Sequence, residues 1–89
     1  MSADQNAVLS EVAIDARARL AGALVSVVES DPRVERWRRI EFADDGGAVV
    51  VIDVRPELGR IGAEVIAREL EFWSARALPS LPWVRVQVA

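Results

Sequence analysis

The chain contains no cysteine, histidine, tyrosine or lysine, and all 11 of its basic residues are arginine. Without cysteine there are no disulfides and no thiolate nucleophile. Without histidine and lysine, the usual general base near neutral pH, the Schiff-base amine and the commonest zinc ligand are missing. We therefore expect a protein that is not an enzyme, with no catalytic residues, no cofactor and no metal site built on histidine or cysteine.

Length and charge limit the protein further. The 89 residues predict a single domain, residues 1–89, of which we expect residues 1–5 to be disordered. A chain of this size buries only about 60% of its unfolded surface, so oligomerisation is the expected additional source of stability. The net charge of −3 argues against a general nucleic-acid-binding protein, because such proteins carry an excess of basic residues.

The start of the chain has no targeting pattern. The segment "MSADQNAV" lacks the basic region that opens a signal peptide. The longest uncharged apolar run in the first predicted helix, "LAGALVSVV", is far shorter than the roughly 20 residues that span a bilayer. We expect a cytoplasmic protein that does not insert into a membrane.

Hydrophobic periodicity and turn residues divide the chain into five elements. The pattern predicts a helix ended by Asp31-Pro32, two strands joined by the turn Asp44-Asp45-Gly46-Gly47, a second helix and a last strand. The predicted bounds are residues 5–29, 36–43, 48–55, 60–77 and 83–88. The hairpin is antiparallel and the strand–helix–strand step is a parallel crossover. The predicted fold is an α+β two-layer αββαβ sandwich, a three-stranded mixed sheet with two helices on one face.

The first helix carries two apolar stripes instead of the single stripe of an ordinary surface helix. The first stripe is Leu9, Ala13, Ala16, Leu20, Leu24 and Val27, and the second is Ile14, Ala18, Ala21, Val25 and Val28. The second stripe is expected either to lie against the other helix or to face another subunit. In that other helix we expect a buried side formed by Ile61, Val65, Ile66, Leu70, Phe72 and Trp73, with Glu69 paired to Arg76.

The sheet face away from the helices is unusual in its predicted composition. Strand alternation places on it Trp37, Arg39, Glu41, Val49, Val51, Asp53, Trp83, Arg85 and Gln87. Because Trp and Arg are enriched in interface hot spots, this face is interpreted as a protein–protein surface. The alternative interpretation is a set of scattered exposed apolar residues, with arginine stems packed over the indoles.

Two other functions are compatible with residues of the same region. Trp37, Trp83, Arg39 and Arg85 have the composition of a base-stacking platform for single-stranded nucleic acid, and "GRIG" at 59–62 has the spacing of a KH-type loop. Carboxylates that would hold a hard cation are Asp44, Asp45, Asp53 and Glu57. Asp44 and Asp45 are equally explained by the turn, where aspartate is favoured for backbone reasons.

From Asp31 to Val88 the chain resembles the cytoplasmic C-terminal domain of cation-diffusion-facilitator transporters. The segments that carry the resemblance are "DPRVERWRRIEF", "DDGGAVVVIDVRPEL", "AEVIARELE" and "LPWVRVQV". The resemblance implies the same element order and a tendency to dimerise. Domains of that family can also bind transition metals, but no metal-ligand position carries over to a chain without histidine and cysteine. The small alkaline-shock envelope-stress family has a similar strand–helix–strand pattern.

The sequence therefore predicts a small non-catalytic protein–protein interaction module, a homodimer or a subunit of a larger assembly. A KH-like or sheet-platform nucleic-acid-binding domain and a regulatory domain that binds a metal through carboxylates are the alternatives. The expected partner is a second copy or another protein. The predicted interface is either Trp37, Arg39, Val49, Val51, Trp83 and Arg85 on the sheet, or Ile14, Ala18, Ala21 and Val25 on the first helix.

Overall fold

A computed structural model describes residues 2–89, with side chains from residue 14 onward. Its elements are α1 (Ser2–Glu29), β1 (Val34–Phe42), β2 (Ala48–Val54), a 3-10 turn (Pro56–Leu58), α2 (Gly59–Ala77) and β3 (Val84–Val88). The predicted element order is confirmed, with ends that differ by at most three residues. Of the terminal segment 1–5, Met1 lies outside the described residues, and α1 begins at Ser2.

The sheet has the predicted mixed topology. Its strand order is β1-β2-β3, with β1 antiparallel and β3 parallel to the central strand. The β2 sequence "AVVVIDV" is nearly continuously apolar, as expected for a strand that has neighbours on both sides. The α+β prediction with a three-stranded mixed sheet and two helices is therefore confirmed.

The core lies between the two helices and one face of the sheet. Leu24 and Val28 of α1 are fully buried, and so are Val50 and Ile52 of β2. The same cluster is completed by Ala48, Ile66, Ala67, Leu70, Leu81 and Val86. Burial of these side chains removes apolar surface from water, which is the dominant favourable contribution to folding.

The end of α1 is fixed by a polar turn. The Asp31 carboxylate accepts hydrogen bonds from the Arg33 backbone N–H (2.9 Å) and from its guanidinium (2.7 to 3.2 Å). The same guanidinium donates to Glu69 of α2 at 2.7 Å. The predicted Glu69–Arg76 pair is therefore wrong, because Glu69 faces the α1–β1 connection while the Arg76 guanidinium lies over the Phe72 ring.

The predicted face of Trp37 is wrong because β1 is not a regular strand. Register shifts between Val34 and Arg36 and between Trp37 and Arg39 interrupt its alternation. A β-bulge adds one residue to a strand, so every side chain beyond it changes face. Trp37 consequently pairs with Ile52 on the helix side, and its indole N–H donates to Glu29 at 3.2 Å.

The buried side of α2 also differs from the prediction. It is formed by small as well as large residues, namely Ala63, Ile66, Ala67, Leu70 and Ser74. Four large apolar residues expected in the core are exposed instead, namely Ile61, Val65, Phe72 and Trp73. The pattern predicted large side chains on the buried side of α2. Alanines occupy much of that side instead, and they bring α2 close to the sheet.

A large part of α1 extends beyond the rest of the domain. The helix has 28 residues, about 42 Å of rise. Its side chains are exposed from Ile14 to Arg19, where the Arg17 guanidinium lies 5.8 Å from the centre of the Phe42 ring, and burial begins at the half-buried Leu20. The molecule consequently measures 57 × 20 × 19 Å. Its radius of gyration is 15.1 Å, against about 12 Å for a compact domain of this length. We call residues 2–19 the arm.

The outer edge of β3 is covered by two side chains of α2. The Val86 backbone N–H donates to the Glu71 carboxylate at 2.9 Å, and the Val86 carbonyl accepts from the Arg68 guanidinium at 3.0 Å. Arg68 and Glu71 are themselves paired at 2.9 Å. An edge strand normally leaves such groups to water, so this pair replaces a neighbouring strand at the middle of the edge.

Candidate protein-interaction site

The open face of the sheet, on the side away from the helices, retains most of the predicted residues. The register places Arg39, Val51 and Gln87 in one row across the sheet. Glu41, Val49 and Arg85 form the next row. Trp37 is absent from this face, so only Trp83 of the two predicted tryptophans lies on it.

Trp83 packs on the hairpin turn. The indole ring lies directly against the Cα of Gly47, so closely that a Cβ at this position would overlap the ring. The indole N–H donates to the Asp45 carboxylate at 2.7 Å, and the same carboxylate accepts from the Gly47 N–H at 2.9 Å. Trp83 therefore joins the turn to the start of β3, a structural role that accounts for this residue without a partner.

The two valines of the open face are largely covered. Val51 is only 5% exposed, although it lies on the face without helices, and Val49 is half-buried. Arg39 and Gln87 flank Val51, and long polar side chains can cover apolar neighbours with their aliphatic stems. Arg39 also pairs with Glu41 at 3.1 Å. The open face is therefore a charged surface over buried valines.

Asp53 is the centre of an arginine cluster at one end of this face. Its carboxylate accepts from Arg36 at 2.6 Å and from Arg38 at 2.9 and 3.0 Å. Both arginines reach it because Arg38 is the extra residue of the second bulge. Hydrogen bonds from Arg36, and then from Arg38, hold the pKa of Asp53 below its usual range. The Arg33 guanidinium similarly lowers the pKa of Asp31.

These lowered pKa values predict a loss of stability in acid. The folded state keeps Asp31 and Asp53 ionised at pH values where the same residues of the unfolded chain bind protons. Their contribution to the free energy of unfolding is therefore complete above about pH 5 and is lost as the pH falls below about 4. We expect the urea midpoint to fall between pH 6 and pH 3, and Asp53→Asn to flatten this dependence by lowering the midpoint at pH 6 more than at pH 3. Asp44→Asn, in the exposed part of the hairpin, is the control. If the urea midpoints of Asp53→Asn and of the unmodified chain change with pH in parallel, the acid sensitivity does not come from Asp53.

The residues of the two alternative functions are not brought together in the predicted way. Trp37 and Trp83 lie on opposite faces of the sheet, so they do not form one stacking platform. Residues 59–62 form the first turn of α2, not a loop between helices. Asp45 and Asp53 are hydrogen-bonded to Trp83 and to arginines. Among the side chains described, residues 14–89, no group of three or more acidic side chains has the arrangement of a cation site.

The helix residues of the predicted interface lie mostly in solvent. Ile14 is 67% exposed, Ala18 is exposed, and Ala21 and Val25 are half-buried. Leu20, Leu24 and Val27 of the first stripe, by contrast, face the body of the domain. Val27 lines a cavity of about 420 Å³ together with Trp73 of α2. In the second stripe, Val28 is buried in the core and Ala21 and Val25 are half-buried, so its exposed part among the described side chains is Ile14 and Ala18.

Sequence reasoning missed a second exposed apolar surface, on α2. Ile61 is 84% exposed, Phe72 54% and Val65 52%. The signal was present, because the apolar residues of this helix cover a wider arc than the single stripe of an ordinary surface helix. Because the largest of these residues were expected in the core, the surplus of apolar residues on α2 was not recognised.

No helix in the described part of the chain has the length and apolarity needed to cross a membrane. Comparisons of the chain with protein-family models, with curated proteins and with solved structures return no match.

Proposed function

We propose that this chain is a small non-catalytic protein–protein interaction module that self-associates through the arm of α1. The observation that carries the proposal is the position of the arm, which extends from a compact body and exposes Ile14 and Ala18. The absence of histidine, cysteine and lysine supports a binding role over catalysis. The resemblance to transporter domains that dimerise also favours self-association.

A helix with few neighbours has little to stabilise it. The arm is about 27 Å long at 1.5 Å per residue. Most helical stability in proteins comes from packing of an apolar face, and isolated helices of this length are marginal in water. The arm sequence, "SADQNAVLSEVAIDARAR", contains several large apolar residues that a solvated helix does not need. A partner that covers one side of the arm would provide the missing packing.

The test is the mass in solution of the unmodified chain and of Ile14→Asp, measured by light scattering over a range of concentrations. We expect a dimer for the unmodified chain, and a dissociation constant at least about tenfold higher for Ile14→Asp, because a charge replaces an apolar contact. The variant should keep its circular dichroism spectrum, since Ile14 is outside the core.

Ser80→Asp is the matched control, because it adds the same charge at an exposed position in the α2–β3 connection. The control should leave the dissociation constant unchanged. A monomer at all concentrations, or equal effects of the two variants, would refute self-association through the arm.

A further inference from the structure

Three of the four large exposed apolar residues of α2 lie in one stripe. Ile61, Val65 and Phe72 are separated by four and seven residues, a spacing that places them on one side of a helix. That side is opposite the buried residues Ala63, Ile66 and Leu70, so it points directly away from the sheet. We call Ile61, Val65 and Phe72 the α2 stripe. It spans about 16 Å of helix.

The α2 stripe has a guanidinium group at each end, from Arg60 and Arg76, whereas Glu64 and the paired Arg68 lie along its side. A groove of about 390 Å³ is lined by Ile61 and Val65 together with Arg60, Glu64 and Arg68. At the other end, the Arg76 guanidinium lies 5.5 Å from the centre of the Phe72 ring. An apolar row with guanidinium groups at both ends fits an apolar helix that carries acidic residues.

From these features we infer that the arm of a second copy of this chain lies along the α2 stripe, and that the two copies exchange arms reciprocally. The inference rests on the proposed function, because it names the surface that the self-associating arm contacts. Each copy then provides one arm and one stripe, which gives a closed dimer with two-fold symmetry.

Charge complementarity supports this occupant. Residues 2–16 contain three acidic residues, Asp4, Glu11 and Asp15, and no basic residue. This acidic segment, which ends before Arg17 and Arg19, is attracted to the guanidinium groups at the two ends of the α2 stripe, and complementary charge is a common source of specificity between protein surfaces. If two arms instead packed against each other in parallel, their acidic segments would be brought together.

Length and connectivity support the same occupant. The arm is longer than the α2 stripe, so it can cover all three residues of the stripe. The arm of the same copy cannot reach this surface, because α1 is one uninterrupted helix from Ser2 to Glu29 that is anchored in the body by Leu24 and Val28. A second copy of the same chain can therefore supply the arm that covers the stripe.

Cross-linking tests the inference directly. The chain has no cysteine of its own, so introduced cysteines report single contacts. Two differently tagged chains, one with Ile14→Cys and the other with Val65→Cys, are mixed, equilibrated and treated with a short bis-maleimide. We expect the mixed product to form at least about tenfold faster than the product of two Ile14→Cys chains. Ser80→Cys replaces Val65→Cys in the control mixture.

A second variant measures the contribution of the stripe to the equilibrium. Ile61→Asp should raise the dimer dissociation constant at least about tenfold and leave the fold intact, because Ile61 is almost fully exposed and acidic residues are favourable near a helix N-terminus. Ser80→Asp is again the control.

The outcomes separate this inference from the proposed function. A dimer that cross-links Ile14→Cys mainly to itself, and that Ile61→Asp leaves unchanged, would overturn arm exchange while retaining self-association through the arm. A dimer that gives no product in either mixture would also overturn arm exchange. A chain that is monomeric at every concentration would overturn both.

Discussion

Replacing Gly47 with alanine is expected to lower the free energy of unfolding by about 2–3 kcal/mol, the cost typical of forcing extra volume into a packed site. Gly47 is buried and has no positive φ, so its requirement for glycine comes from the Trp83 ring that lies on its Cα. An alanine Cβ would displace the indole. The displaced indole would lose its hydrogen bond to Asp45, which also holds the turn through the Gly47 N–H. Urea denaturation followed by tryptophan fluorescence measures the change.

Gly22→Ala is the matched control for this prediction. A Cβ at Gly22 meets nothing within 4 Å, and the residue lies inside α1. The same substitution should therefore raise the stability there, by about 1 kcal/mol, because alanine is the better helix former. Trp83→Ala provides a second check, since Gly47→Ala should cost much less in that background. Equal costs in the two backgrounds would show that the ring is not the cause.

Leu24→Ala is expected to lower the free energy of unfolding by about 3 kcal/mol, within the range for buried leucine. Leu24 is fully buried, and together with Val28 it attaches α1 to the sheet and to α2. The loss is a large fraction of the total, because domains of this size have roughly 5–10 kcal/mol of stability. Thermal and urea unfolding, followed by circular dichroism at a fixed protein concentration, measure it.

Leu20→Ala is the corresponding control, with the same chemical change one turn earlier on the same stripe. Leu20 is only half-buried at the edge of the core, so its cost should be well below that of Leu24→Ala. If the two variants are equally destabilised, packing of α1 is not concentrated at Leu24, and the arm must end closer to the N-terminal end of the helix.

The parts of the fold that follow from local rules were predicted from the sequence. Asp-Asp-Gly-Gly between two β-branched runs indicates a hairpin, and it is one, with Gly46 at a φ of 93°. Asp31-Pro32 ends α1, because a proline disfavours the helical conformation of the residue before it. The parallel β3 follows from the strand–helix–strand order. Each of these depends on a few neighbouring residues, which a single sequence displays.

The parts that depend on tertiary packing were not predicted. Nothing in "VERWRRIEF" marks the two bulges that move Trp37 to the helix side, because a bulge is decided by the pairing of β1 with β2. The exposure of Ile61 and Phe72 depends on how closely Ala63 and Ala67 bring α2 to the sheet. Of the candidate interface, the second stripe of α1 was identified as a surplus apolar surface, whereas the α2 stripe was assigned to the core.

The Arg68–Glu71 pair on the β3 edge has a consequence for how copies of this protein accumulate. Strand-to-strand association is open-ended, because each added strand presents a new edge to the next chain. Here the middle of one edge is already bonded to Arg68 and Glu71, and the opposite edge strand, β1, carries two bulges and many charges. Both sheet edges therefore resist fibre growth. Association through helices ends once the paired surfaces are covered, so a crowded solution of this protein should contain complexes of fixed size.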